Sequence, residues 1–275
     1  MRLDKISDRV YANCDGETGG NVGIILLEDS AVAVDAQYPG SAKDFRVSIP
    51  DVTGKPVSHL ILTHIHGDHI YGAQAFDDCE IIAHRRLKEK MEESLKTEWT
   101  PEKLQQNYEN IKKNSPDRAW LFEGLRIVLP TQTFDEIYTL EDVNVINTGG
   151  HSDCSSIVYI PTEKTLFAGD LVFAERFPWA GDPTSHPDTW IKAFQKILDM
   201  DVETIIPGHG PVCDKDEIRI QIKWFKEARD IMAELISKGS TVEEAVKPEH
   251  YPEFYDYSGG RLERSLRHWY SVLSP

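Results

Sequence analysis

The chain has little of what would mark it as secreted, membrane-bound or built to hold a polyanion. Its four cysteines (Cys14, Cys79, Cys154, Cys213) lie far apart with no CxxC pair. In a chain of 275 residues they are expected to be reduced thiols rather than a disulfide framework. No apolar stretch approaches the roughly 20 residues that cross a bilayer. The start, from Met1 to Val10, has no apolar core of a secretion signal. Positive charge is scarce too: 30 Lys and Arg stand against 46 Asp and Glu, a net −16. That balance argues against nucleic acid or an anionic membrane surface as partner. With no spanning stretch and no signal core, the chain is expected to be cytoplasmic and to act on a small molecule. No GK[ST] follows the glycines of Gly16–Gly23, so that stretch reads as a hairpin turn rather than a phosphate loop. Repeats and low-complexity runs are also missing.

What is present is ordinary globular composition, 28% charged and 40% hydrophobic, with enough length to bury a sizeable core. Short apolar runs predict strands at Val22–Leu27, Ala31–Val34, Ser58–Leu62 and Glu80–Ala83. Residues 85–119, rich in Lys, Glu, Leu and Gln and broken at Pro101 and Pro116, predict a helical insert. A second β block follows at Leu125–Leu129, Ile137–Leu140, Val143–Asn147, Ser156–Ile160 and Thr165–Ala168. The stripe Trp190, Ile191, Phe194, Ile197, Leu198 predicts a helix, and Val202–Ile206 a strand. Asp214 with Glu217 reads as a capping box opening a long helix that Gly239 stops. A final helix from about Gly260 closes a C-terminal extension, 239–275. Its apolar face (Leu262, Leu266, Trp269, Tyr270) suits either the chain's own core or a homo-oligomer. Two strand blocks, each followed by helices, indicate an α/β fold in one domain, 1–275.

Chemistry concentrates in Thr63-His64-Ile65-His66-Gly67-Asp68-His69, immediately after a predicted strand. Residues two apart in extended chain share a face, so His64 and His66 can chelate one ion. A turn at Gly67 would aim Asp68 and His69 towards a second. Imidazole and carboxylate suit Zn²⁺, Fe or Mn. Further candidates follow three more predicted strands, each beside glycine: His151 in Thr148-Gly149-Gly150-His151, Asp170 in Gly169-Asp170, and His209 in Pro207-Gly208-His209-Gly210-Pro211. Side chains on loops beyond strand ends, held by a rigid sheet, are a recurring way to build a site.

The order HxHxDH, GGHS, AGD, PGHGP resembles the metallo-β-lactamase superfamily over about residues 8–235. The resemblance implies a four-layer αββα sandwich with the site at one edge of its two sheets. It implies two divalent cations, zinc first and iron or manganese next. His64, His66 and His151 match the ligands of one, and Asp68, His69 and His209 those of the other. Asp170 matches a bridging carboxylate, with a hydroxide as second bridge, and Asp68 would orient that hydroxide as the catalytic carboxylate. The implied reaction is hydrolysis of a small ester, thioester, lactone or lactam. The alternatives are a single-iron sulfur dioxygenase and a phosphodiesterase.

Having Asp at 170 points away from dedicated lactamases and towards glyoxalase-II-like stand-alone hydrolases, whose Gly169-Asp170-Leu171-Val172-Phe173 and Arg176-Phe177-Pro178 patterns this chain shares. Pocket selectivity is expected from the 85–119 insert as a lid, from Phe177, Pro178 and Trp179, and from Tyr255 and Tyr257, although core packing suits the tyrosines better. Arg261, Arg264 and Arg267 recur every three residues in the last helix and read as a solvated face. Cys154, without a basic neighbour in sequence, reads as a structural thiol. His59, His84, His186, His250 and His268 receive no role.

Overall fold

Alternating apolar side chains lay out two sheets, each with a covered face on both sides. In a computed structural model describing residues 1–255 and 260–274, the first sheet holds seven strands in chain order. They are β1 (Asp4–Lys5), β2 (Val10–Asn13), β3 (Val22–Leu26), β4 (Ala31–Val34), β5 (Val57–Leu62), β6 (Glu80–His84) and β7 (Gln132–Phe134). The first four pair antiparallel, and the last three join in parallel, with Val34 opposite Ile61 and Leu62 opposite Ala83. The second sheet comprises β8 (Ile137–Leu140), β9 (Val143–Asn147), β10 (Ser156–Ile160), β11 (Thr165–Phe173) and β12 (Thr204–His209), antiparallel except for the β11–β12 pair.

The helices are α1 (Pro39–Thr53), α2 (Gly67–Ile70), α3 (Arg85–Ser94), α4 (Pro101–Asn114), α5 (Ala119–Phe122), α6 (Pro187–Asp199), α7 (Lys215–Ser237), α8 (Val242–Ala245) and α9 (Arg261–Leu273). Three buried clusters give the layers. In β5, Leu60 and Leu62 face Phe45 and Ile49 of α1, while Ile61 faces the other way. Ile61 joins Val32, Ile82, Val145, Val158, Phe167 and Ile206 in the seam between the sheets. Beyond the second sheet, Leu166 and Ile205 pack with Trp190, Phe194, Phe225 and Trp269 of α6, α7 and α9. Helix, sheet, sheet, helix is the αββα sandwich the motif order implied. No helix among the described residues is long and apolar enough to cross a membrane.

Some expectations need correction. Leu125–Leu129 forms no strand; its partly buried Ile127, Val128 and Leu129 lean on the first core, and Gln132–Phe134 pairs with β6 instead. Helix α1 was not legible, because Pro39, Gly40 and Pro50 interrupt its sequence. Burial of Ala42, Phe45 and Ile49 on one face overrides that weak propensity. Asp214 caps α7 by accepting from Asp216 N, but Glu217 bonds Gln221 and Tyr255 rather than closing a capping box. The apolar face of α9 packs on the chain itself: Leu262, Leu266 and Trp269 are buried against α7, and the Tyr270 hydroxyl donates to Ser240 O.

Candidate metal centre

Four strand ends deliver the seven side chains. β5 leads into His64 and His66, and the short α2 then carries Asp68 and His69. His151 follows β9 after Gly149 and Gly150, both at positive φ. β11 and β12 run further than expected, through Asp170 and His209 themselves. The β11–β12 register slips on both sides of Gly169, whose φ of 51° belongs to the left-handed region. That irregularity turns the Asp170 carboxylate into the site. Gly208 then leaves it room, since a Cβ there would lie 2.0 Å from Asp170 Oδ1. Pro207 is tolerated because β12 is an edge strand.

The side chains converge in two groups, His64–His66–His151–Asp170 and Asp68–His69–His209, each with candidate ligand atoms within 4.8 Å of one another. Asp170 spans them. Its Oδ2 lies 3.5 Å from both His64 Nε2 and His151 Nε2, and its Oδ1 lies 3.0 Å from His69 Nε2 and 3.4 Å from His209 Nε2. His209 Nε2 is 3.2 Å from Asp68 Oδ2, and His66 Nδ1 is 2.8 Å from His151 Nε2. Yet His64 Nε2, His69 Nε2 and Asp170 Oδ1 are buried without a hydrogen-bond partner. Orphaned buried polar atoms are costly, and several facing one point fit a cation better than one another.

The electrostatics say the same. Burial opposes charge on every group here, but the imidazoles outweigh it for Asp68 and Asp170, holding both carboxyls well below the usual range. In return Asp170 and Asp68 draw a proton onto His209, raising it to about 9, and Asp170 and Asp35 raise His69. Burial, with the neighbouring imidazoles, keeps His64 and His151 below the ordinary histidine value. A cation would supply the positive charge that the carboxylates otherwise take from protons.

Residues that the sequence reading passed over hold the ligand candidates in place. Asp35, directly after β4, accepts from His69 Nδ1 and Thr63 Oγ1 through Oδ2, both at 2.8 Å, and from Thr63 N through Oδ1 at 2.8 Å. Its φ of 57° aims the carboxylate inward. A carboxylate immediately beyond a strand was the signal that could have found it. Asp182 Oδ2 sits 3.0 Å from His66 Nε2, while its other oxygen accepts from Thr184 N and Oγ1. Nothing local in sequence marked it. The other nitrogen of His151, Nδ1, lies 3.0 Å from Trp179 O. Gly20 backs His69 so closely that a Cβ would lie 2.3 Å from the imidazole. Gly20, within that glycine-rich stretch, thus serves the centre and not only a turn.

A cavity of about 380 Å³ opens over the centre, lined by His66, Asp68, Asp170, Phe173, Trp179, His209, Arg261 and Arg264. The two arginines are exposed, as the solvated-face reading expected, but they also line this cavity. Ser265 accepts from Ala180 N and His268 contacts Ser185 O, which fixes α9 against the loops carrying Trp179 and Asp182. Arg267 alone stays outside, paired with Glu263 and Glu243. Trp179 walls the cavity, whereas Phe177 is buried against Trp224. Tyr255 donates to Glu217, and Tyr257 lies outside the described residues. Burial pushes the Cys154 thiol up to about 11, in keeping with a structural role.

A two-sheet sandwich carrying a His/Asp cluster at its strand ends is the architecture of a metal-dependent hydrolase fold. The family model described as metallo-beta-lactamase superfamily matches residues 15–209, and the chain belongs to that superfamily. It is similar to a Caenorhabditis elegans beta-lactamase-like protein 2 homolog (24% identical, covering 78% of this chain and 65% of the relative). It is also similar to a linear primary-alkylsulfatase from Pseudomonas sp. (20% identical; 90% and 53%). The chain therefore spans less than two thirds of these relatives' lengths. Among solved structures, the sec-alkylsulfatase Pisa1 from Pseudomonas sp. superposes with TM-score 0.73 at 15% identity, over 98% of this chain and 50% of that one. The DIM-1 metallo-beta-lactamase superposes at 0.62 and 19% identity, over 82% and 97%.

Proposed function

We propose that the protein is a hydrolase holding two divalent cations, zinc first, which cleaves a small ester, thioester, lactone or lactam bearing an anionic group. The carrying observation is the convergence of seven side chains on buried, unpartnered nitrogen and oxygen atoms. His64, His66 and His151 would hold one cation, Asp68, His69 and His209 the other, and Asp170 both. Such a pair lowers the pKa of water to about 7 and polarises the bond under attack. The protein's own groups do the rest. Asp68, ionised and a quarter exposed, is placed to orient water and carry its proton. Asp35 and Asp182 fix the faces of His69 and His66. Phe173 stacks on His209 at 5.1 Å and, with Trp179, shields one side from solvent. Arg261 and Arg264 supply local positive charge at the mouth of an otherwise acidic protein, favouring anionic substrates.

A sulfate ester is the second reading, favoured by the arginine pair and by likeness to two proteins named as alkylsulfatases. Metal analysis of protein purified without added zinc, with parallel assays on a thioester, a lactone, a β-lactam, an alkyl sulfate and bis(p-nitrophenyl) phosphate, separates these. One iron per chain and no second ion would point to dioxygenase chemistry instead. Asp68→Asn is expected to lower kcat by about 100-fold or more while the protein stays folded. Unchanged turnover in that variant refutes the proposal.

A further inference from the structure

Helix α4 has an apolar stripe, Leu104, Tyr108 and Ile111, yet buries none of its residues. A helix of its length is marginal in water unless such a face is covered. The stripe does not meet a filled core. It roofs two cavities of about 410 and 310 Å³ that share Leu104, Tyr108, Phe122 and Leu125 as walls. The larger is also lined by Leu95, Trp99 and Ile127. Its floor is the 125–127 segment, which joins no strand.

These cavities neighbour the metal centre through shared lining residues. A further cavity of about 380 Å³ shares Trp99 with the larger one, Tyr71 with the smaller and His66 with the cavity over the centre. Tyr71 and Trp99 meet edge to face, ring centroids 5.7 Å apart, and both line that intervening cavity together with Lys90, Glu93 and Asp182. Arg261 and Arg264 line the cavity over the centre but none of the other three. The molecule thus places cationic side chains in the cavity over the reacting position and a partly exposed apolar trough one cavity away.

The geometry points to a binding site for an unbranched alkyl or acyl chain in the trough between α4 and residues 122–127, serving an amphiphilic substrate whose polar, anionic end lies at the metal centre. This rests on the hydrolase reading and specifies its substrate class. Removing methylene groups from water is worth about 0.8 kcal/mol each, a roughly fourfold gain in affinity per carbon until the trough is full. The arginines and cations contribute a constant share that does not depend on chain length.

The test is calorimetric titration of the zinc-loaded protein with straight-chain alkanesulfonates, from ethane- to decanesulfonate, which are not hydrolysed. The Kd is expected to fall about fourfold per added carbon and then level off. Leu104→Glu, at a half-exposed position, should abolish that dependence and leave the ethanesulfonate Kd unchanged. Leu104→Trp, which fills the trough without adding charge, should level off at a shorter chain. Arg261→Ala should weaken every chain by the same factor. A Kd independent of chain length, in protein that binds both zinc and ethanesulfonate, refutes the tail site and leaves the hydrolase reading standing. A protein that binds no zinc refutes that reading, and this inference with it. A flat response together with a sedimenting dimer that Leu104→Glu dissociates assigns the trough to a second copy of the chain, and overturns the inference.

Discussion

Asp35→Asn tests whether the centre depends on carboxylates that never touch the ion. Asp35 is buried and sits at φ 57°, a conformation asparagine adopts as readily as aspartate, so the backbone should not resist the change. The aspartate accepts three hydrogen bonds, from Thr63 N, Thr63 Oγ1 and His69 Nδ1, each 2.8 Å long. An asparagine keeps one acceptor oxygen and turns an NH₂ towards the remaining donors. The Thr63 hydroxyl can rotate away, but His69 cannot. To accept from the amide, its Nδ1 must give up its proton, which moves to Nε2, the atom facing Asp170. A ligand nitrogen blocked by a proton loses metal. Partners of this kind are worth about 10- to 100-fold in metal affinity, or ~1.4–2.7 kcal/mol. The loss should fall on the Asp68–His69–His209 group, leaving one tightly bound zinc per chain where the unaltered protein is expected to bind two. Competition with a chromophoric chelator measures both steps, and thermal unfolding of the metal-free variant checks the fold. Two zinc ions held with unchanged affinity would refute the argument.

Metal uptake should depend on pH in a set direction. His209, raised to about 9 by Asp170 and Asp68, is protonated in the metal-free protein at neutral pH and must lose that proton to bind. His69, raised by Asp170 and Asp35, must give up a proton as well. Affinity for the second zinc should therefore rise by more than tenfold per pH unit between 7 and 9, as the same chelator competition would report. In the metal-free state the raised value also stabilises the fold; that share is complete below the unfolded value near 6.5 and is lost as pH climbs through 9. Gly20→Ala, whose Cβ would fall 2.3 Å from the His69 ring, should cost about 1–3 kcal/mol in stability, with a lower zinc stoichiometry, by denaturant titration and metal analysis. Arg261→Ala should raise KM for anionic substrates several-fold and leave that for neutral esters unchanged, because the guanidinium lies at the cavity mouth rather than at the cations.

The ligand candidates were legible because each lies in a glycine-containing segment at the end of a short apolar run. His64 to His69 follow β5, His151 follows β9, and Asp170 and His209 end β11 and β12. Periodicity gave the strands, the apolar stripe of α6 and the stop at Gly239, because burial on one face writes a period into the chain. Helix α1 was lost because its prolines and glycine speak against a helix that only the contacts of Phe45 and Ile49 sustain. Leu125–Leu129 looked like a strand because apolar content cannot tell a paired edge from an unpaired segment facing a cavity.

The sequence by itself determined which side chains can bind metal and in what order the strands present them, since both follow from residue type and local period. Only the tertiary structure decided that Asp35 and Asp182 support His69 and His66, from 34 and 116 residues away, and that the exposed Arg261 and Arg264 line the cavity over the site. Those placements depend on how α9 docks and how loops from different strands meet, and no local pattern encodes a contact made across the fold.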